Sequence, residues 1–196
     1  MNVRPHPRYA EFVHRIRTLS PAPARWTGVT FRSVELEHAS PQKILSGEGS
    51  RQFGGRWNPP GTFPVIYSST TPGTAIEEAF QLAADYELSP DDLKPRVTCA
   101  IEWDLARVVD LTRESLPAWL KPTKWMQQDF LRINDKGLET LCQAFGRAAR
   151  NSMISAILCQ SARVEGGVNL VVFPDRLRRN ETMSLLGENE LNNYLV

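Results

Sequence analysis

At 196 residues the chain is long enough to fold as one domain with a substantial core, without disulfide or metal support. Hydrophobic residues make up 41% and charged residues 23%, ordinary for a globular protein. A net charge of +1, with no basic run longer than RLRR at Arg176–Arg179, argues against direct nucleic-acid binding.

The N-terminus, MNVRPHPRYAEF, has neither the apolar run nor the cleavage site of a secretory signal. No stretch approaches the roughly 18 apolar residues of a membrane span. Cys99, Cys142 and Cys159 each sit in an apolar run with no CxxC spacing, and the histidines, His6, His14 and His38, lie far from them. The expectation is a cytoplasmic protein with packing thiols, no metal site and no membrane contact.

Tyr9, Phe12, Val13, Ile16 and Leu19 recur at spacings of three and four, which predicts a surface helix over 5–19. PAPA at 21–24 ends it as a short linker. Thr27–Val34 reads as a strand, and SGEGSRQFGG at 46–55 as a Gly- and Ser-rich loop. A short strand follows at Val65–Tyr67. The next helix runs from Thr74 to about Tyr86, with a capping box of Thr74 and Glu77 and an apolar face of Ala75, Ile76, Ala79, Phe80, Leu82 and Ala83.

Pro95–Trp103 alternates cleanly as a strand. Residues 122–132 and 137–150 read as helices, Ser155–Gln160 and Val168–Phe173 as further strands. Strands and helices mix without a strict βαβ rhythm, so the fold class expected is α+β with a mixed sheet. The organisation expected is an N-terminal helical extension and linker (1–26), a main domain (27–175) and a C-terminal tail packing on it (176–196).

The most informative segment is Phe53–Glu78, FGGRWNPPGTFPVIYSSTTPGTAIEE. Arg56, Tyr67 and Glu78 recur there at intervals of 11, on successive elements that let them converge. Two glycines before Arg56 and two prolines after it make a stiff turn that backbone and ligand can approach closely. Periodicity places Glu77 and Glu78 on opposite flanks of their helix; the capping box gives Glu77 a structural task and leaves Glu78 as the free carboxylate. GEGSRQ at 47–52 lacks the third glycine of a dinucleotide fingerprint, and no phosphate-binding GxxxxGK[ST] is present.

The segment resembles the core signature of RES-domain proteins, the toxins of RES–Xre toxin–antitoxin modules. SARVEGGVNLVVF (Ser161–Phe173) is similar to the family's closing motif, and GVTFRSV (Gly28–Val34) to its opening strand. The resemblance implies an ADP-ribosyltransferase-like fold, with Arg56, Tyr67 and Glu78 as catalytic residues and Arg32 and Ser161 binding NAD+. It also implies NAD+ as a consumed substrate rather than a bound cofactor, and an Xre-family antitoxin as partner.

Within that frame Glu78 stabilises the ribose cation, Tyr67 stacks on or orients the nicotinamide, and Arg56 with Arg32 grips phosphate and ribose oxygens. Asn169 either orients Ser161 or only satisfies backbone groups, and is not assigned to the site. The resemblance admits transfer of ADP-ribose to a protein acceptor, or hydrolysis or phosphorolysis that depletes NAD+. The extra length at 5–19 and 104–150 favours the mono-ADP-ribosyltransferase, because an enzyme that docks a protein needs more surface around its site.

Overall fold

The structure, a computed structural model, describes residues 3–19, 22–85, 88–89, 95–114, 116–120 and 125–191. Its elements are α1 (Tyr9–Arg17), β1 (Ala24–Glu35), α2 (Pro41–Ser46), α3 (Glu48–Phe53), β2 (Ile66–Ser69), α4 (Pro72–Asp85), β3 (Arg96–Asp110), α5 (Phe130–Asp135), α6 (Leu141–Asn151), β4 (Ala156–Gln160), β5 (Val168–Val172), β6 (Thr182–Leu185) and α7 (Glu188–Leu191). The strands form one mixed sheet in the order β1-β2-β5-β4-β3-β6, and β1 also pairs with β3. The first five strands therefore close on themselves. The fold is α+β, and among the described strand pairs of the sheet only β3–β4 is parallel.

Closure follows from the length of β3. Its first part runs antiparallel to β1 from Arg96 to Val108, and its last three residues pair with β4. Strand side chains alternate between two apolar clusters. Ile66, Ile101, Trp103, Leu158, Leu170 and Val172 belong to one. Ile157, Cys159, Val171 and Phe173 belong to the other, shared with α1 and α6.

The N-terminal helix is built into this second cluster. Phe12 and Ile16 are buried, and the Phe12 ring lies 5.6 Å from Phe145 and 6.1 Å from Trp125. Burying each such side chain contributes roughly 1.5–3 kcal/mol. Glu139 fastens the segment: it accepts from the His6 backbone N–H at 2.7 Å and from two Arg147 nitrogens at 2.8 and 2.7 Å. Arg147 lies over the Tyr9 ring at 3.7 Å.

Several expectations change. Residues 48–53 of the expected loop are helix α3, because the glycines serve its ends: Gly47, at φ 66°, separates α2 from α3, and Gly54 follows the last turn. Glu48 and Arg51 pair one turn apart within it. Helix α4 begins at Pro72 with Thr71 as its cap, whose hydroxyl accepts from the Thr74 N–H at 3.2 Å. The Thr74–Glu77 capping box does not form; Glu77 is exposed and accepts from Gln81 at 3.0 Å. Ile76 and Phe80, expected on the apolar face of α4, are exposed. Tyr86, and the side chains of Leu82 and Ala83, lie outside what is described.

The helix expected at 122–132 reduces to α5, starting at Phe130; residues 125–128 form turns and 121–124 lie outside the described residues. The strand expected to end at Trp103 continues to Asp110. The segment read as a tail contributes β6, which pairs with β3. Among the described residues no helix is long and apolar enough to cross a membrane.

Candidate functional site

The turn carrying Arg56 is held from behind by buried amides. Asn58 is fully buried; its Nδ2 donates to the carbonyls of Ser50 at 2.6 Å and Phe63 at 3.1 Å. Gln143, on α6, donates through Nε2 to the carbonyls of Gly55 at 3.0 Å and Asn58 at 3.3 Å. Helix α6 approaches so closely that a Cβ at Gly146 would stand 2.0 Å from the Trp57 carbonyl oxygen. Sequence proximity made the turn stiff; α6 fixes where it sits.

Tyr67 completes this support. Its hydroxyl accepts from the Trp57 N–H at 2.9 Å and donates to Asn58 Oδ1 at 2.8 Å. Burial pushes the phenol's pKa well above its usual value. A Cβ at Gly55 would reach within 2.6 Å of the hydroxyl, so glycine there is a matter of space. The Tyr67 hydroxyl thus faces the base of the Arg56 turn.

Arg56 itself reaches the mouth of an open cavity of about 500 Å³, lined by Arg56, Arg163, Asp135 and the segment from Gln127 to Arg132. One guanidinium nitrogen donates to the carbonyls of Met126 and Gln128, and the Phe130 ring lies 5.7 Å below the guanidinium carbon.

Glu78, on the second turn of α4, is one quarter exposed. Its Oε1 accepts from Ser161 Oγ at 2.6 Å and from Asn169 Nδ2 at 2.5 Å. Ser69 Oγ donates to Asn169 Oδ1 at 2.7 Å, which orients the amide with its donors toward the carboxylate. Ser161 Oγ also accepts from the N–H groups of Arg163 at 3.0 Å and Val164 at 2.8 Å. That turn brings Arg163 Nε to 3.4 Å from Glu78 Oε2. The thiol of Cys159, buried beneath, is raised chiefly by burial; the charges of Glu78 and Arg56 act on it in opposite senses.

Of the sequence-predicted residues, the structure brings Glu78 and Ser161 into contact and sets Arg56 on the cavity that Arg163 also lines. Tyr67 stands behind Arg56. Arg32, on β1 opposite Cys99, shares no hydrogen bond with the others among the described residues. Its Nη1 is shielded from solvent and has no hydrogen-bond partner. Burial lowers its pKa to about 10, opposed by nearby Cys99 and Tyr67 and reinforced by Arg96. A buried guanidinium nitrogen without an acceptor fits a site completed by an anionic ligand.

Sequence reasoning assigned neither Asn169 nor Arg163 to the site. The available signal was SAR followed by GGVN, a hydroxyl and an amide flanking a glycine turn. Gly167 lets that turn close: a Cβ there would stand 2.8 Å from Thr74 and 3.1 Å from the Ser161 Cβ.

The chain is 36% identical over 131 residues to proteins named NAD(+) phosphorylase MbcT from Mycobacterium bovis (strain ATCC BAA-935 / AF2122/97) and Mycobacterium tuberculosis (strain ATCC 25618 / H37Rv). The match covers 65% of this chain and 64% of those relatives, just under two thirds of their length. Among solved structures, the crystal structure of the M. tuberculosis MbcT–MbcA toxin–antitoxin complex superposes with a TM-score of 0.59 at 24% identity. It covers 94% of this chain and 96% of that one, a likeness of fold. The model of the RES domain matches residues 30–188, from the middle of β1 to the start of α7, and the chain belongs to that family.

Proposed function

We propose that this protein is an NAD+-consuming toxin that breaks the nicotinamide–ribose bond with inorganic phosphate as acceptor. An antitoxin, of the Xre type on the family resemblance, would restrain it. The observation that carries this reading is the Glu78 carboxylate, fixed by Ser161 and Asn169 beside a cavity that Arg56 and Arg163 line. The relatives' name, NAD(+) phosphorylase, supports phosphate over a protein acceptor. The extra surface that favoured a protein acceptor is also largely spent on packing: α1 buries Phe12 and Ile16, and 104–110 and 141–150 belong to β3 and α6.

In NAD+ the nicotinamide ring is already cationic. When the C1′–N1 bond breaks, its electron pair moves onto the ring nitrogen and neutral nicotinamide leaves, so no general acid is needed. Positive charge grows on the ribose, where a carboxylate held in advance by donors stabilises it without reorganising. That is the part of Glu78. Ser161 and Asn169 position Glu78 through Oε1. Arg56 grips oxygens of the dinucleotide with a planar fork, and Arg32 supplies a buried donor for the pyrophosphate. Tyr67 acts through the Arg56 turn rather than on the reacting atoms.

The test is incubation of purified protein with NAD+, with and without phosphate, and identification of products by mass. Nicotinamide and ADP-ribose 1″-phosphate are expected. Intact NAD+ under both conditions would remove the reading, and labelled protein acceptors from lysate would replace phosphate by a side chain.

A further inference from the structure

We infer that Arg163 is the residue that selects phosphate over water as the acceptor. The inference rests on the NAD+-cleaving reading above and concerns which nucleophile that site admits. The problem for a phosphorylase is electrostatic. Its cation-stabilising carboxylate must stand next to the ribose carbon, and the incoming nucleophile is itself an anion. Water meets no such repulsion. An enzyme that uses phosphate therefore needs a fixed positive charge between its carboxylate and the route of attack.

Arg163 stands beside that carboxylate and lines the cavity. Its Nε lies 3.4 Å from Glu78 Oε2, the oxygen that does not accept from Ser161 and Asn169. Its side chain is 11% exposed, and it lines the same cavity as Arg56. Its backbone is held as well. Ser161 Oγ accepts from the Arg163 N–H at 3.0 Å, and Gln81 Nε2 donates to the Arg163 carbonyl at 3.4 Å. The serine that orients Glu78 thus also orients Arg163, which keeps cation and carboxylate in register. A guanidinium fork offers paired donors to a tetrahedral oxyanion.

The proton balance points the same way. An oxygen lone pair of hydrogen phosphate forms the new C1′–O bond as the C1′–N1 pair leaves with nicotinamide. The attacking oxygen carries no proton, so no base is required. Water must lose a proton to give a stable product, to a carboxylate such as Asp129 or Asp135 of the cavity lining or to solvent. The oxyanion held by Arg163 has two conceivable sources, inorganic phosphate or the pyrophosphate of NAD+ itself, and kinetics separate them.

The experiment measures NAD+ cleavage by the full chain against phosphate concentration, with products resolved by mass, for wild type, Arg163→Gln and Arg163→Lys. Arg163→Gln should raise the KM for phosphate about tenfold or more, change the KM for NAD+ less than about threefold, and shift product from ADP-ribose 1″-phosphate toward ADP-ribose. Arg163→Lys should fall between, keeping charge without the fork. Equal rises in both KM values would place Arg163 on the dinucleotide pyrophosphate and overturn the inference, as would an unchanged product ratio and phosphate KM. Circular dichroism of each variant separates these outcomes from misfolding, with Arg163→Lys as the conservative replacement should Arg163→Gln not fold. A wild-type enzyme that cleaves NAD+ without regard to phosphate overturns the acceptor assignment while leaving Glu78 its role. A wild type that leaves NAD+ intact removes the broader reading as well.

Discussion

The two sides of the site are built differently. Arg56 rides on a turn whose Gly55 and Asn58 carbonyls accept from Gln143 and whose Trp57 N–H donates to the Tyr67 hydroxyl, with buried Asn58 tying it to the Ser50 and Phe63 carbonyls. Glu78 rises from an exposed helix face, and the side chains that hold it, Ser161, Arg163 and Asn169, are partly exposed. The first side is a rigid anchor whose loss should appear as lost stability. The second is a charge array whose loss should appear as lost chemistry with the fold intact. In the proposed site, different physics holds the arginine and the glutamate in place.

The largest effect expected is on the Glu78 side. Glu78→Gln should lower NAD+ cleavage by a factor on the order of 10²–10³, because the isostere keeps shape but removes the charge facing the ribose cation. Its thermal midpoint should stay close to wild type. A stability loss matching the activity loss would make Glu78 a structural residue and erase the contrast.

Asn58→Ala should do the opposite, lowering stability by about 2–4 kcal/mol through several buried groups left without partners. Urea unfolding measures it. Tyr67→Phe probes the same network at one point and should cost about 1–3 kcal/mol, since the Trp57 N–H and Asn58 Oδ1 lose their partner. A stable Tyr67→Phe enzyme with lost activity would put the hydroxyl on the substrate instead.

Arg56→Lys sharpens the boundary, since Arg56 touches both the rigid network and the cavity. It should lose nearly as much activity as Arg56→Ala, because an ammonium does not replace a fork. Steady-state kinetics of the two variants decide this; a lysine enzyme near wild type would reduce Arg56 to a point charge. The smallest effect is expected for Glu77→Gln. Glu77 is exposed and caps nothing, so stability and NAD+ cleavage should both stay within about 0.5 kcal/mol of wild type. A dead Glu77 variant would reverse the assignment of the two carboxylates.

Strand β5, strand β4 and helices α1 and α6 were legible because their apolar periods match the surfaces they bury. Helix α3 was hidden because glycines and serines read as loop when counted, whereas two of its glycines act only at its ends. The start of α4 was misplaced for a related reason: two serines and two threonines precede it and Thr74 lies in its first turn, each a competent cap, and packing of Thr74 and Ala75 selects Thr71. In the site, the spacing of Arg56, Tyr67 and Glu78 was visible, and the sequence reading took Glu78 over Glu77. That choice was reached through a capping box that does not form.

The sequence by itself determined the α+β class, the packing cysteines and the segment from Phe53 to Glu78 as the centre of interest, because those depend on local pattern and on residue types next to one another. Only the tertiary structure decided that Asn169 and Arg163 share the carboxylate with Ser161, that Gln143 props the Arg56 turn from 85 residues or more away, and that α1 is core rather than spare surface. Those contacts join elements whose order in the sheet is not their order in the chain. Sheet closure through β1 and β3 brings them together, and no local periodicity encodes a pairing between strands so far apart.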